Sequence, residues 1–176
     1  MLEARRRVSS GSGPCWIFAH IQLAGKGRRG RMWVDPTGNF ACTYVFFPDR
    51  TIDRYALSSF TAALSVYDCL SDFTEGSAPV SIKWPNDILL NQKKVAGILL
   101  ETIAVGKNKI ALSIGFGVNL LSYPGVSELE ESAFSPTSIL TETGVAIDPI
   151  ELLNKLAVSF SKYEAVSYTH LRAHET

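Results

Sequence analysis

Apolar positions recur along this chain with two different periods. Residues 15–22 (CWIFAHIQ) and 40–48 (FACTYVFFP) are short runs rich in aromatic and β-branched side chains, bounded by loop formers, and predict strands. From residue 51 to about 73 the spacing changes to steps of three and four. Ile52, Tyr55, Ala56, Phe60, Ala63, Leu64, Tyr67 and Leu70 then share one face of an amphipathic helix. Residues 79–84 alternate as a strand, and 87–101 read as a hairpin with its turn near 91–93. A further strand is expected over 109–120, with glycines near its end, and then a loop of mixed polarity to about residue 134. Residues 135–144 carry helix signals: Ser135 to cap, Pro136 at the first helical position, Gly144 at the exit. Asp148 and Pro149 open another helix, with Leu152, Leu153, Leu156, Phe160 and Tyr163 on one face. Residues 1–7 read as the tail of a helix and 9–14 as a loop. Strands in runs joined by short turns, with helices grouped beside them, predict an α+β fold: a mixed, mostly antiparallel sheet with packed helices. The pattern stops after Ala165, and residues 166–176 look like the translated read-through of a gene fragment; a non-native tail is expected there.

Composition narrows the function classes. The 176 residues suffice for one domain with a real core. Lys and Arg together number 17, as do Asp and Glu, so the global basic excess usual in a nucleic-acid-binding domain is missing. Positive charge is instead local: residues 24–33 (AGKGRRGRMW) hold Lys26, Arg28, Arg29 and Arg31 among three glycines. Cys15, Cys42 and Cys69 are odd in number and form no CxxC pair, and His20, His170 and His174 do not join them at ligand spacing. Neither a zinc site nor a disulfide framework is expected, and the cytoplasm is the default compartment. No apolar run reaches the length of a membrane span, and the basic start of the chain lacks the apolar core of a secretory signal.

Three segments carry candidate chemistry. In the first, Gly25, Gly27 and Gly30 let backbone N–H groups approach an anion, and Arg28, Arg29 and Arg31 add forked donors for phosphate or carboxylate. Its letters satisfy GxGxxG, but it lies between two strands rather than before a helix, so a solvated loop and an anion site stay open as readings. The second segment, KWPND (83–87), joins Lys83, Trp84, Pro85, Asn86 and Asp87. Asp87 suits a metal or an amine, or only an Asx-type turn. Lys94 follows where the hairpin re-enters the sheet, with Gly97 beyond it, either reaching over a pocket or forming an ordinary solvated turn with Lys93. The third, GFGVN (115–119), ends a strand with two glycines and Asn119.

Taken together these segments, with Gln22, Trp33, Ile98, Leu99 and Glu101, resemble in order and spacing the catalytic domain of biotin protein ligases. The resemblance covers most of 15–165 and implies an α+β fold related to class II aminoacyl-tRNA synthetases. It implies a two-step reaction: ATP, Mg²⁺ and biotin give biotinyl-5′-adenylate, and a lysine of a biotin carboxyl carrier domain then takes the biotin. Carried over by position, the catalytic residues are Arg28, Lys94 and Asp87, with Asp87 also the Mg²⁺ ligand. Biotin falls to Gln22, Gly25, Lys26, Gly27, Arg28, Lys94 and Gly97. ATP falls to Arg29, Arg31, Trp33, Lys83, Asn86 and Asn119. The expected partners are biotin, ATP and the carrier domain, with no nucleic acid and no membrane; homodimer formation stays open.

The chain departs from the family pattern in three places. A Ser-Thr-Asn motif before the first strand is missing, Lys26 stands where the family's loop has Arg, and the small C-terminal barrel is absent. A catalytic domain over 1–165, truncated at both ends, is therefore expected. Competing readings are lipoate or octanoate attachment on the same fold, an inactive fragment, and an anion- or nucleic-acid-binding module.

Overall fold

The hairpin expected near residue 91 is the simplest element to account for. Strand β4 (Asp87–Leu90) turns through Asn91 and Gln92 into β5 (Lys93–Val105). Both turn residues have positive φ, 50° and 62°, the two-residue turn whose twist matches that of the flanking strands. The computed structural model describes residues 2–49, 55–106, 109–125 and 134–172, with side chains as far as 167. Ahead of the hairpin lie α1 (Leu2–Ser9), β1 (Cys15–Ala19), β2 (Phe40–Phe46), α2 (Leu57–Thr74) and β3 (Val80–Lys83); after it come β6 (Lys109–Val118), α3 (Ile139–Thr143) and α4 (Pro149–Arg172). The strands form one sheet in the order β1-β2-β6-β5-β4-β3, and each neighbouring pair is antiparallel. Where a mixed sheet was expected, the parallel contact among the described residues is a lone bridge between Lys94 and Pro136.

Alternation along the strands gives the sheet two covered faces. On one, Ile88, Leu90, Ile98, Leu112, Ile114 and Phe116 meet Val66 and Leu70 of α2 and Leu152, Leu156 and Phe160 of α4. On the other, Ala4 and Val8 of α1 cover Val45, Ile103 and Ala111. Helix α1 occupies only one end of that second face; the other end, around Gly97 and Gly117, is where the cavity described below opens. The register pairs Gly97 with Gly117 just as it pairs Ile103 with Ala111, an even number of residues along each strand.

Several element expectations shift. Strand β1 stops at Ala19, so Gln22 sits on a loop. Helix α2 buries Ser58, Thr61, Ala62, Ser65, Val66, Cys69 and Leu70, while Phe60 and Leu64 of the expected face remain exposed. Ser65 satisfies its hydroxyl on the Thr61 carbonyl at 2.7 Å. Residues 51–54, including Ile52, lie outside the described residues, as do 126–133 of the expected loop. Helix α3 is capped by Ser138, whose Oγ accepts from the Thr141 N–H at 3.2 Å, not by Ser135. Gly144 ends it at φ 73° as its position required. Asp148 Oδ1 accepts from the N–H groups of Ile150 and Glu151, the expected cap of α4. The helical backbone of α4 continues past Ala165 to Arg172. Among the described residues, no helix is long and apolar enough to cross a membrane.

Candidate active site

The glycine-rich basic segment folds back on itself as a small hairpin. Gly27 N–H donates to the Arg31 carbonyl at 2.8 Å, Trp33 N–H to the Gly25 carbonyl at 3.0 Å, and Lys26 bridges to Met32. The tip, Arg28–Gly30, is a single 3-10 turn with Arg29 left-handed at φ 58°. Gly25 is required by packing: a Cβ there would lie 2.2 Å from the Trp33 carbonyl oxygen. This hairpin holds Trp33 flat against the open end of the sheet. A Cβ on Gly117 would come within 2.6 Å of the indole, and one on Gly97 within 3.0 Å. The two glycines thus make a hollow that the ring fills.

Beside the ring, a β-bulge aims a lysine. Asp87 pairs with Gly97 and Ile88 with Ala96, but Leu89 pairs with Lys94, leaving Val95 as the extra residue. Without the bulge, Lys94 would share a face with Ala96 and Ile98 and point into the core. With it, Lys94 shares the face of Asp87 and Gly97, and its Nζ meets Asp87 Oδ1 at 2.7 Å. The bulged backbone is secured by a strap formed by residues 135–137. Lys94 N–H donates to the Ser135 carbonyl at 2.8 Å, and its carbonyl accepts from Thr137 N–H at 2.9 Å. Asn119 N–H takes up the Val95 carbonyl at 2.9 Å, and Asn119 Nδ2 holds the Thr137 carbonyl at 3.0 Å.

A polar chain then crosses the cavity. Arg28 Nη1 donates to Asn86 Oδ1 at 3.0 Å, and Asn86 Nδ2 donates to Asp87 Oδ1 at 3.1 Å, the oxygen that also receives Lys94. Lys83 Nζ sits 4.0 Å from the centre of the Phe134 ring, and Lys94 Nζ 5.7 Å from that of Trp33.

These elements enclose a cavity of about 480 Å³. Of the residues singled out from the sequence, Gln22, Lys26, Gly27, Arg28, Arg29, Arg31, Trp33, Lys83, Asn86, Asp87, Lys94, Gly97 and Asn119 all line it. Gly25 stands buried behind the wall, packed against the Trp33 backbone, and Gly30 and Glu101 do not line the cavity either. Thr43 and Phe134, which no motif marks, line it as well; Gly115 is marked only as part of GFGVN. Lys26, Arg28, Arg29, Arg31, Lys83 and Lys94 surround one acidic lining residue, Asp87, so a chain of zero net charge presents a strongly positive mouth. Two buried polar atoms of the wall, Trp33 Nε1 and Asn119 Oδ1, have no hydrogen-bond partner. Burial pushes the Cys42 thiol well above its ordinary range, which removes it as a nucleophile. Among the described residues no three His, Cys, Asp or Glu side chains gather as a resident metal centre. The arrangement fits a ligand with an apolar, flat portion and more than one anionic group.

The profile of the Biotin/lipoate A/B protein ligase family matches residues 1–119. A biotin–[acetyl-CoA-carboxylase] ligase of Paracoccus denitrificans is 46% identical over 163 residues, which cover 93% of this chain and 68% of that protein. The bifunctional ligase/repressor BirA of Bacillus subtilis is 31% identical over 157 residues, and the chain spans only 47% of its length. The biotin protein ligase of Leishmania major in complex with biotinyl-5-AMP shares the fold at a TM-score of 0.76 and 23% identity, covering 99% of this chain and 74% of its own. The Aquifex aeolicus biotin protein ligase in complex with biotin and ATP superposes at a TM-score of 0.70 with 28% identity, over 91% of this chain and 65% of its own. Fold and sequence agree, and the chain belongs to the biotin/lipoate A/B protein ligase family.

Proposed function

We propose that this chain carries the ATP-dependent attachment of biotin to a lysine of a biotin carboxyl carrier domain. The observation that supports it most is the cavity itself: six cations around one carboxylate, beside a glycine-floored, apolar hollow. The names of the Paracoccus and Aquifex relatives point to the same substrates.

The first step joins a biotin carboxylate oxygen to the α-phosphorus of ATP and releases pyrophosphate. Negative charge grows on the phosphoryl oxygens in flight, and Arg28 and Lys94 are the cations placed to meet it. Gln22, Lys26, Gly27 and Gly97 hold biotin, with Gly25 shaping the loop from behind the wall, and the biotin carboxylate then lies in line with the nucleotide. Arg29, Arg31, Trp33, Lys83, Asn86 and Asn119 hold ATP. In the second step the carrier lysine amine attacks the acyl carbonyl, and AMP leaves with the bonding pair. Asp87 steers the incoming lysine, its carboxylate exchanging Lys94 for the carrier ammonium and accepting the proton that the nitrogen gives up as its lone pair attacks. A lone carboxylate suits a magnesium ion that arrives on the triphosphate, since Mg²⁺ is commonly held by one or two carboxylates plus substrate phosphates; Asp87 would hold it, and it would neutralise phosphate charge. With its three thiols unpaired, the chain is suited to the cytoplasm.

The test is incubation of the chain with Mg²⁺-ATP and equal concentrations of biotin and lipoate, with mass spectrometry of the acyl-adenylates. Biotinyl-adenylate is the expected product. Lipoyl-adenylate alone would move the chain to the family's other branch, and no adenylate from the folded chain would overturn the reading.

A further inference from the structure

Outside the cavity wall, one carboxylate gathers more partners than any turn requires. Glu142, on α3, retains 9% of its side-chain exposure. Its Oε1 receives Thr137 Oγ1 at 2.6 Å and Lys93 Nζ at 2.9 Å, and its Oε2 receives Asn91 Nδ2 at 2.8 Å. These donors come from two separate pieces of chain. Asn91 and Lys93 belong to the tip of the β4–β5 hairpin; Thr137 belongs to the strap. The same strap accepts and donates the two backbone hydrogen bonds of Lys94, one residue past Lys93. Glu142 therefore closes a ring: hairpin tip, carboxylate, strap, and back to the bulged backbone from which the Lys94 side chain enters the cavity. It also sorts two adjacent lysines, since Lys93 is engaged on the α3 side while Lys94 engages Asp87.

We infer that Glu142 is a positioning residue for adenylate formation, a latch that fixes the Lys94 ammonium by clamping the hairpin tip to the strap that holds the bulge. The inference rests on the ligase reading above. It differs from general structural support in one respect: its effect must travel through the Lys94 side chain. A cation that stabilises transition-state charge is sensitive to displacements well under the length of a hydrogen bond.

A double-mutant cycle separates the two. Single-turnover biotinyl-adenylate formation is measured for the unaltered chain, Glu142→Ala, Lys94→Ala and the double variant, with biotin affinity by calorimetry. A latch predicts that Glu142→Ala slows the rate about tenfold when Lys94 is present and less than twofold when it is already Ala. Equal losses in both backgrounds, or no loss in the first, overturn it. Should Glu142→Ala fail to fold by circular dichroism, Glu142→Gln, which conserves volume and gives up the ion pair, carries the same cycle. Backbone hydrogen exchange judges the latch separately from the ligase reading. The Lys94 and Thr137 amides are expected to exchange faster in either Glu142 variant, and unchanged exchange overturns the latch. If the unaltered chain makes no adenylate, it is the ligase reading that fails.

Discussion

Lys94 shows how much a single residue depends on its backbone. Its identity as a cation beside small residues is visible in KKVAG, but its direction is set by the unpaired Val95, and nothing in those letters distinguishes a bulged strand from a regular one. The same holds for Arg28: the sequence places it in a basic loop, whereas its contact with Asn86, 58 residues away, exists only in the fold. Residue types that declare their chemistry were legible for this reason, and a residue that acts through partners, such as Glu142, was not. Replacing Lys94 by Ala is expected to slow biotinyl-adenylate formation about 100-fold, the loss typical of one preorganised charge-stabilising donor. Arg28→Ala should do likewise. Rapid-quench measurement checks both, and undiminished rates in either variant would remove that residue from the chemistry.

Among elements, the informative cases are those where local signals and packing disagree. Ser135 and Pro136 have the letters of a helix start, yet Lys94 recruits their backbone into the strap, and the helix waits for Ser138. On α2 the larger apolar residues mark the wrong stripe: the face packed against α4 and the sheet holds Ser58, Ala62 and Ser65, and leaves Phe60 and Leu64 exposed. The segment leaving β6 is held by Asn39, whose Oδ1 accepts the N–H groups of Leu120, Leu121 and Ser122 at 3.0, 3.0 and 3.2 Å. Asn39→Ala would strand buried donors and is expected to destabilise the chain by roughly 2 kcal/mol, read as a lower urea midpoint. The Glu142 cluster carries a pH signature. Hydrogen bonds from Thr137, Asn91 and Lys93 hold its carboxyl down to about 2 from 4.5. A depressed carboxylate stabilises the fold above pH 4.5 and loses that contribution as the pH falls toward 2. The stability difference between the unaltered chain and Glu142→Gln should therefore shrink over that acid window, followed by denaturant titration at successive pH values.

For the whole molecule, the sheet works as a partition. One face is filled by two helices and sealed; the other is shared between a short helix and the cavity. The α+β class was legible because strand and helix periods alternate in long blocks, while the purely antiparallel order depends on long-range pairings such as β2 with β6 that no local pattern encodes. Stability and chemistry should separate along this partition. Leu156, fully buried on the sealed face, is expected to cost about 3 kcal/mol as Ala, with the adenylation rate of the remaining folded chain unchanged. Thermal unfolding and single-turnover kinetics on one sample decide it.

The indole of Trp33 already lies on the only bare patch that Gly97 and Gly117 leave between them. Any planar guest seeking that patch meets a resident, and must either displace it or settle beside it. Displacement subtracts the resident's own contact energy from the guest's, so a measured affinity would understate how well the guest fits. It also writes the arrival into light: a tryptophan leaving a glycine hollow for water shifts its emission to longer wavelength, and one covered by a guest does not.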